Sequence, residues 1–365
     1  MPARGADPAL RDQGDEALLN AVQAEVPLTP RPFAALAQRL GEDEATVLAR
    51  YQRLKDAGVI RQTSAILDTE RLGYHSTLVA ARVPEPRLAE AAEVVSSHPG
   101  VSHNYRREHD FNLWWTLAVP PGGDLSAHAH ALHRRAGAEA TRLLPTLTRY
   151  KIGVRLDVGG SRPMDATEER GPQAAAPRTA TDARALSDDE VALVRELQED
   201  LPAEPRPFAA MATRLGTDED ALLAAARRLD DEGVMRRFAA VLRHRRAGFG
   251  ANAMSVWRAD EAEIDEHGGA LASFAAVTHC YRRLTHHDWP YPLFAMIHAT
   301  SRERVAEAVV AMRERTGLDE PLLLYSTTEF KKVRLRYFDP AHTAWEAEYV
   351  TDADRGAAAS SPHAW

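Results

Sequence analysis

Arg31-Pro32-Phe33-Ala34-Ala35 recurs as Arg206-Pro207-Phe208-Ala209-Ala210, and at the same offset about half the positions from Arg31 to Gly73 match Arg206 to Gly248. The correspondence runs on, with small gaps, into two segments crowded with His, Tyr, Arg and Trp. A period this long is no solenoid, whose units recur every ~20–50 residues. The chain is one module written twice, so any fold assigned to one copy has to suit the other. Between the copies, Gly159 to Ala185 is rich in Gly, Pro, Ala and mixed charge and has no periodicity, which reads as a linker. The tail after Pro340 shows little pattern beyond Trp345 and Tyr349 and is expected to be partly disordered.

Within the first copy, helices are expected at Glu16 to Ala24, at Pro32 to Leu40, and from near Asp43 to Gly58. Pro32 opens the second of these and Gly41 closes it. Val59 to Leu67 alternates as a strand, and three helices with a β-wing make a winged helix-turn-helix. A strand (Ser76 to Val83), a helix (Pro86 to Ser97), two strands (Val101 to Arg107, Asn112 to Val119), a helix (Leu125 to Ala138) and a strand (Leu147 to Leu156) follow. That β-α-β-β-α-β order is ferredoxin-like. The second copy repeats it, with strands at Ala251 to Trp257, Val277 to Arg283, Leu293 to His298 and Leu323 to Arg334. The fold class is α+β, with winged helices at 16–68 and 186–243, ferredoxin-like domains at 69–158 and 244–340, a linker at 159–185 and a tail at 341–365.

A hydrophobic content of 44% and a charged content of 27% describe an ordinary globular chain. The net charge of −8 argues against a surface given over to phosphate contacts. The single cysteine, Cys280, has no partner for an intramolecular disulfide, which fits a reducing compartment. Met1 to Glu16 has no apolar core of a signal peptide and no stretch is long and apolar enough to span a bilayer, so a cytoplasmic protein without membrane association is expected. Zinc-type Cys/His spacing, a Walker loop and a Gly-rich dinucleotide turn are all missing, so neither a protein-held metal nor a nucleotide cofactor is expected.

The chemistry concentrates in two segments. The first runs from His103 through Asn104, Tyr105, Arg107, His109 and Asn112 to Trp114; the second runs from His279 through Cys280, Tyr281, Arg283, His286, His287, Trp289 and Tyr291 to Phe294. Arg offers bidentate donors to carboxylates, His holds or delivers a proton near neutral pH, and Trp, Tyr and Phe supply flat apolar walls. That mixture suits a large planar ligand bearing several carboxylates. Two-residue alternation puts His103, Tyr105 and Arg107 on one strand face, with Arg107 as carboxylate clamp and Arg106 pointing away. His109 lies in the following turn, and Asn112 and Trp114 share a face on the next strand, Trp114 as ligand wall or as core. In the second copy Tyr281 and Arg283 repeat the strand face, His286 and His287 lie in a longer turn, and Trp289 and Tyr291 line the ligand or brace the turn. The residues leave His298 open as a core histidine, a ligand to a bound metal or a catalytic acid. Cys280 reads as a small buried residue, and His128, His130 and His133 as surface or packing residues.

A winged helix followed by a ferredoxin-like domain resembles the Lrp/AsnC regulators, and Thr46 to Arg61 looks like their recognition helix and wing. The expected recognition helices nevertheless open with Glu42, Asp43 and Glu44, and with Asp218, Glu219 and Asp220, which suit a helix dipole but not phosphates. DNA binding is therefore not expected, although a regulator sensing a small molecule or tetrapyrrole stays open as the alternative. The first dense segment resembles the HNYxRxHxxNLWFT signature of the siroheme decarboxylases, with Trp115 where Phe is usual. The second resembles the partner subunit's CYxR…WPYNLFxMIH pattern, with Pro292 in place of Asn. The resemblance spans both copies, roughly Glu16 to Tyr337, in the order of a NirD–NirL fusion.

This resemblance implies decarboxylation of two acetate side chains of siroheme to methyls, giving didecarboxysiroheme in d1-haem or alternative haem biosynthesis. It also implies His103, His109 and Tyr105 in catalysis, and Arg107, Asn112, Trp114, Tyr281, Arg283, His286, His287, Trp289, Tyr291 and His298 in substrate binding. Siroheme is then the substrate, its macrocycle takes up the electrons left by carbon dioxide, and no further cofactor is required. The two ferredoxin-like copies are expected to pack sheet to sheet as an intramolecular pseudo-dimer.

Overall fold

The structure is a computed structural model that describes residues 13–152, 184–242 and 251–365. The expected linker lies almost wholly outside the described residues, as do the boundaries at 158 and at 243/244. The chain forms two compact units, and they cut across the copies. One unit gathers residues 1–73, 180–248 and 336–339; the other gathers 74–179, 249–335 and 340–365.

The first unit holds both helix-turn-helix segments: α1 (Gln13–Ala24), α2 (Pro32–Leu40) and α3 (Glu44–Asp56) from one copy, α6 (Asp188–Leu197), α7 (Pro207–Arg214) and α8 (Glu219–Asp231) from the other. Pro32 and Pro207 start their helices, and Gly41 ends α2 in the left-handed region (φ 70°). The expected wing differs from a hairpin within each copy. β1 (Ile60–Leu67) pairs antiparallel with β7 (Met235–Leu242), so each copy contributes one strand to a shared two-stranded sheet. Among the described residues each copy has one alternating segment between its third helix and its ferredoxin-like domain, and the two segments serve as each other's partner.

The acids that open α3 and α8 are engaged locally. Asp43 accepts from the Thr46 N–H at 2.9 Å and Asp218 from the Ala221 N–H at 2.7 Å, while Glu44 and Glu219 pair with Arg31 and Arg206. Arg50 and Arg53 of α3 converge on the buried Asp15, at 3.1 and 2.5 Å, and Arg227 of α8 donates to the Leu28 carbonyl.

The second unit holds both ferredoxin-like domains. In the first copy these are β2 (His75–Arg82), α4 (Leu88–Ser97), β3 (Val101–Arg107), β4 (Leu113–Val119), α5 (Leu125–Ala136) and β5 (Ala140–Leu144). β6 (Thr146–Ile152) follows after Pro145 alone. The second copy gives β8 (Ala251–Trp257), α9 (Ile264–Ser273), β9 (Val277–Arg283), β10 (Leu293–Ala299), α10 (Arg302–Thr316) and β11 (Leu322–Lys332). All the strands join one sheet in the order β5-β2-β4-β3-β11-β8-β10-β9-β6. The last strand expected from Leu147 is β6, and β5 before it was not expected. β5 completes its own copy beside β2, and β6 crosses to pair with β9 of the other. Pro145 has no N–H for a ladder, so pairing breaks there and resumes on a new partner. β11 does the same without a break, pairing with β8 through Tyr325 and with β3 from Ser326 onward.

Helix-side cores form around Trp115 and Leu132 in one copy and around Trp257 and Met312 in the other. A third core joins the inner faces of the two copies, with Trp114 and Phe111 from the first against Trp289, Phe294 and Met254 from the second. The two ferredoxin-like copies form an intramolecular pair.

The tail is ordered, contrary to expectation. α11 (Ala341–Tyr349) and α12 (Asp352–Ser360) lie on α5, and Trp365 exchanges backbone hydrogen bonds with Thr141 at 2.7 and 3.0 Å. Trp345 is buried with its ring 4.1 Å from that of His98 and 5.2 Å from that of His128. The isolated Trp in an unpatterned tail is its anchor. The three histidines of α5 are packing residues: His128 hydrogen-bonds His98 at 2.9 Å, His130 pairs with Asp354 at 2.8 Å, and His133 bonds Thr141 at 3.0 Å.

Burial holds His98 far below the usual imidazole range and lowers His128 as well. Each binds a proton more weakly folded than unfolded, so around and below about pH 6.5 the unfolded state binds more protons and stability drops as pH falls. The melting temperature should decline from pH 7 to pH 5, and the slope should shrink in His98→Asn, which keeps an acceptor for the Gly100 N–H now bonded to His98. Scanning calorimetry across that range checks it.

Candidate active site

On β3 the Asn104 amide turns to α4, donating to Ala92 O and to Ser96 Oγ, both at 3.0 Å. Alternation then sends His103, Tyr105 and Arg107 to the opposite face, the inner one. On β9 the buried Cys280 thiol takes the place of Asn104, 3.5 Å from Gly268 O, so His279, Tyr281 and Arg283 turn inward in the same way. Burial pushes that thiol up to about 12, which leaves it inert as a nucleophile. The two inner faces repeat each other closely. His103 and His279 each bring Nδ1 to 2.9 Å of the preceding hydroxyl, Ser102 or Thr278, and their rings lie 6.1 and 6.2 Å from Tyr105 and Tyr281.

The two arginines are the most constrained groups. Arg107 is 6% exposed and donates through Nη1 to Leu324 O at 2.6 Å; Arg283 donates through Nη1 to Leu144 O at 2.7 Å. Each guanidinium thus reaches a carbonyl of the other copy, Leu324 on β11 and Leu144 at the end of β5, just before Pro145 and β6. Both Nε atoms are shielded from solvent and lack an acceptor, and among the described residues no carboxylate pairs with either side chain. Burial draws both down to about 10. A desolvated guanidinium with one carbonyl for company gains from any anion that reaches it.

The turns after β3 and β9 meet at Trp289, which is 1% exposed. His109 stands edge-on to it at 5.4 Å, and Phe111, Trp114 and Tyr291 surround it at 5.9, 5.1 and 5.2 Å. His109 Nδ1 accepts the Phe111 N–H at 3.0 Å, which fixes the neutral ring with its proton on Nε2, and burial lowers its affinity for a second proton.

Several expected ligand residues have other work. The Asn112 amide clamps Val83, accepting from its N–H at 3.0 Å and donating to its carbonyl at 2.8 Å, because β2 ends there and leaves both groups without a strand partner. Trp114 is core, its Nε1 donating to Phe111 O at 2.6 Å, and Trp289 is core beside it. His287 points to solvent, its side chain 86% exposed, because Asp288 beside it is held bidentately by Arg142 at 2.9 Å. His286 donates through Nε2 to Leu143 O at 2.9 Å, which ties the turn to the first copy. Tyr291 is half-buried under Arg258, and His298 lies on the inner face of β10 across from Asn252. His279 was not among the expected site residues. Its place in the second segment, matching His103, was the available signal.

With this geometry the comparisons fall into place. Residues 71–151 and 246–331 match the AsnC-like ligand binding domain, and residues 15–61 and 190–236 match the siroheme decarboxylase NirDL-like HTH domain. A siroheme decarboxylase of Hydrogenobacter thermophilus is 38% identical over 92% of this chain and 98% of its own length. The chain belongs to the siroheme decarboxylase family. The crystal structure of the siroheme decarboxylase NirDL in co-complex with an iron-uroporphyrin III analogue covers 93% of this chain and 99% of its own, at 33% identity and a TM-score of 0.74. A siroheme decarboxylase beta subunit of Oleidesulfovibrio alaskensis is 40% identical over 43% of this chain and 99% of itself, as expected when one relative's subunit equals one copy here.

The structural role of Asn112 is checked by Asn112→Ala. Losing the amide strands both Val83 backbone groups and should lower unfolding stability by about 2 kcal/mol. Affinity for ligand in the correctly folded fraction should stay within about twofold, measured by denaturant titration and binding in parallel.

Proposed function

We propose that this protein binds siroheme on the inner faces of its paired ferredoxin-like domains and removes two acetate carboxyl groups, giving didecarboxysiroheme. The observation that carries this reading is the pair of buried, uncompensated guanidiniums, Arg107 and Arg283, each beside a Tyr and a His. Siroheme carries carboxylates around a flat macrocycle, and two such cations hold carboxylates while the aromatic side chains offer flat apolar surface. The reaction class is that of a carboxy-lyase. In each step the carbon–carbon bond to the carboxylate breaks, carbon dioxide leaves, and its electron pair passes toward the macrocycle. One proton then completes the methyl group. The ring system supplies the electron sink, so no additional cofactor takes part.

His103, His109 and Tyr105 handle the proton. Burial opposes charge on His109. A substrate carboxylate beside the imidazole favours the charged form, so binding raises its proton affinity and the substrate loads its own donor. Arg50, Arg53 and Arg227 are engaged within the helix-turn-helix unit, so the regulator reading has less to stand on. The described residues include no helix long and apolar enough to cross a membrane, which agrees with cytoplasmic work on d1-haem or alternative haem precursors.

Anaerobic incubation with siroheme, followed by mass spectrometry, should show two successive losses of carbon dioxide without added metal, nucleotide or flavin. Recovery of intact siroheme that is nevertheless bound would refute the reading. The roles separate kinetically. Arg107→Ala removes a charge-assisted contact of ~1.5–3 kcal/mol and should weaken binding tenfold or more. His103→Ala or His109→Ala should instead cut turnover roughly 100-fold with binding little changed. Because the imidazolium is the donor, wild-type turnover on bound substrate should fall as pH rises.

A further inference from the structure

The strand exchange sets equivalent positions of β6 and β11 beside equivalent positions of β9 and β3, and there the two copies differ in charge. Arg149 of β6 stands across from Tyr281, whereas Glu329 of β11 stands across from Tyr105. Both side chains face inward. Tyr150, next to Arg149, is on the helix side, its hydroxyl bonded to Asp265, and Phe330, next to Glu329, packs into the helix-side core of the first copy. Alternation turns their neighbours to the other face, the one that carries Tyr281 with Arg283 and Tyr105 with Arg107. Arg149 is half-buried with its Nε shielded from solvent, and Glu329 is exposed.

The consequence is electrostatic. The second copy's inner face thus carries Arg149 and Ile152 where the first copy's carries Glu329 and Lys332, so a guanidinium joins Arg283 on one face while the added charges offset each other on the other. That inequality favours a ligand with several carboxylates on the face of Arg283. We propose that the second copy's inner face is the principal grip for the substrate's carboxylates, and that Arg149, supplied by the first copy's exchanged strand, is a substrate-binding residue that gives it that preference. This rests on the tetrapyrrole reading above and adds a division of labour, with the second copy gripping carboxylates and the first delivering protons. It also makes the site composite, since neither copy alone presents both Arg149 and Arg283 on one face.

The test is equilibrium titration of the full chain with iron-uroporphyrin III, followed by absorbance. Arg149→Gln should weaken binding tenfold or more, Arg149→Lys should recover most of the affinity, and Glu329→Gln should stay within twofold of wild type. With siroheme, Arg149→Gln should raise KM and leave kcat nearly unchanged. Binding by Arg149→Gln within twofold of wild type, or a loss in Glu329→Gln as large as that in Arg149→Gln, overturns the assignment of Arg149 alone. A wild-type chain that binds no iron-uroporphyrin III brings down the tetrapyrrole reading and this inference with it. Arg149→Met serves if the Gln variant fails to fold.

Discussion

The strand exchange is the constraint on which the second unit depends. In the first copy β6 leaves its own strands to pair with β9, and in the second β11 runs from β8 of its own copy onto β3. The β3 and β9 edges of either copy alone would expose rows of unpaired backbone groups, and the reciprocal pairing covers both. The Leu324 carbonyl on β11 meets Arg107, and the Leu144 carbonyl, which ends β5 just before Pro145 and β6, meets Arg283. One cation is held on an exchanged strand and the other at the point where the chain leaves for the exchange.

Duplication and exchange together explain why one site can be asymmetric in a nearly symmetric frame. The backbone register repeats, so His103 and His279, Tyr105 and Tyr281, and Arg107 and Arg283 occupy matched places. Divergence has acted around them. Lys332 stands across from His103 where Ile152 stands across from His279, and Thr116 pairs with His103 where Met296 pairs with His279. Burial, assisted by Arg283, pulls His279 down to about 4. The first copy's histidine instead lies in a hydroxyl network of Ser102 and Thr116.

Much of this was legible in the sequence, and the limits have physical causes. Repetition, helix caps at Pro32 and Gly41, and alternation on β3 and β9 are local signals, and they placed both modules and the inward residues. The exchange was not legible. Only Pro145 marks it, and a proline between two apolar runs reads equally as a turn. The shared wing was missed for the same reason, since which copy a strand pairs with is a tertiary choice that alternation does not encode. Asn112, Trp114 and Trp289 sit inside the dense motifs yet serve the backbone and the core. A motif records which residues are kept together, and bracing a turn requires particular side chains as strictly as touching a ligand does.

The helix-turn-helix unit shows the same economy of cations from the other side. A reader of DNA needs arginines on its recognition helix that remain available to phosphates and base edges. Here Asp15 is buried beneath α3 with both Arg50 and Arg53 on it. The one buried carboxylate thus occupies both arginines. The acids that open α3 and α8 are fixed likewise, as helix caps and as partners of Arg31 and Arg206. In this unit β1 and β7 join the two copies a second time. On the inner faces of the other unit, Arg107 and Arg283 are cations that burial makes more responsive to an anion.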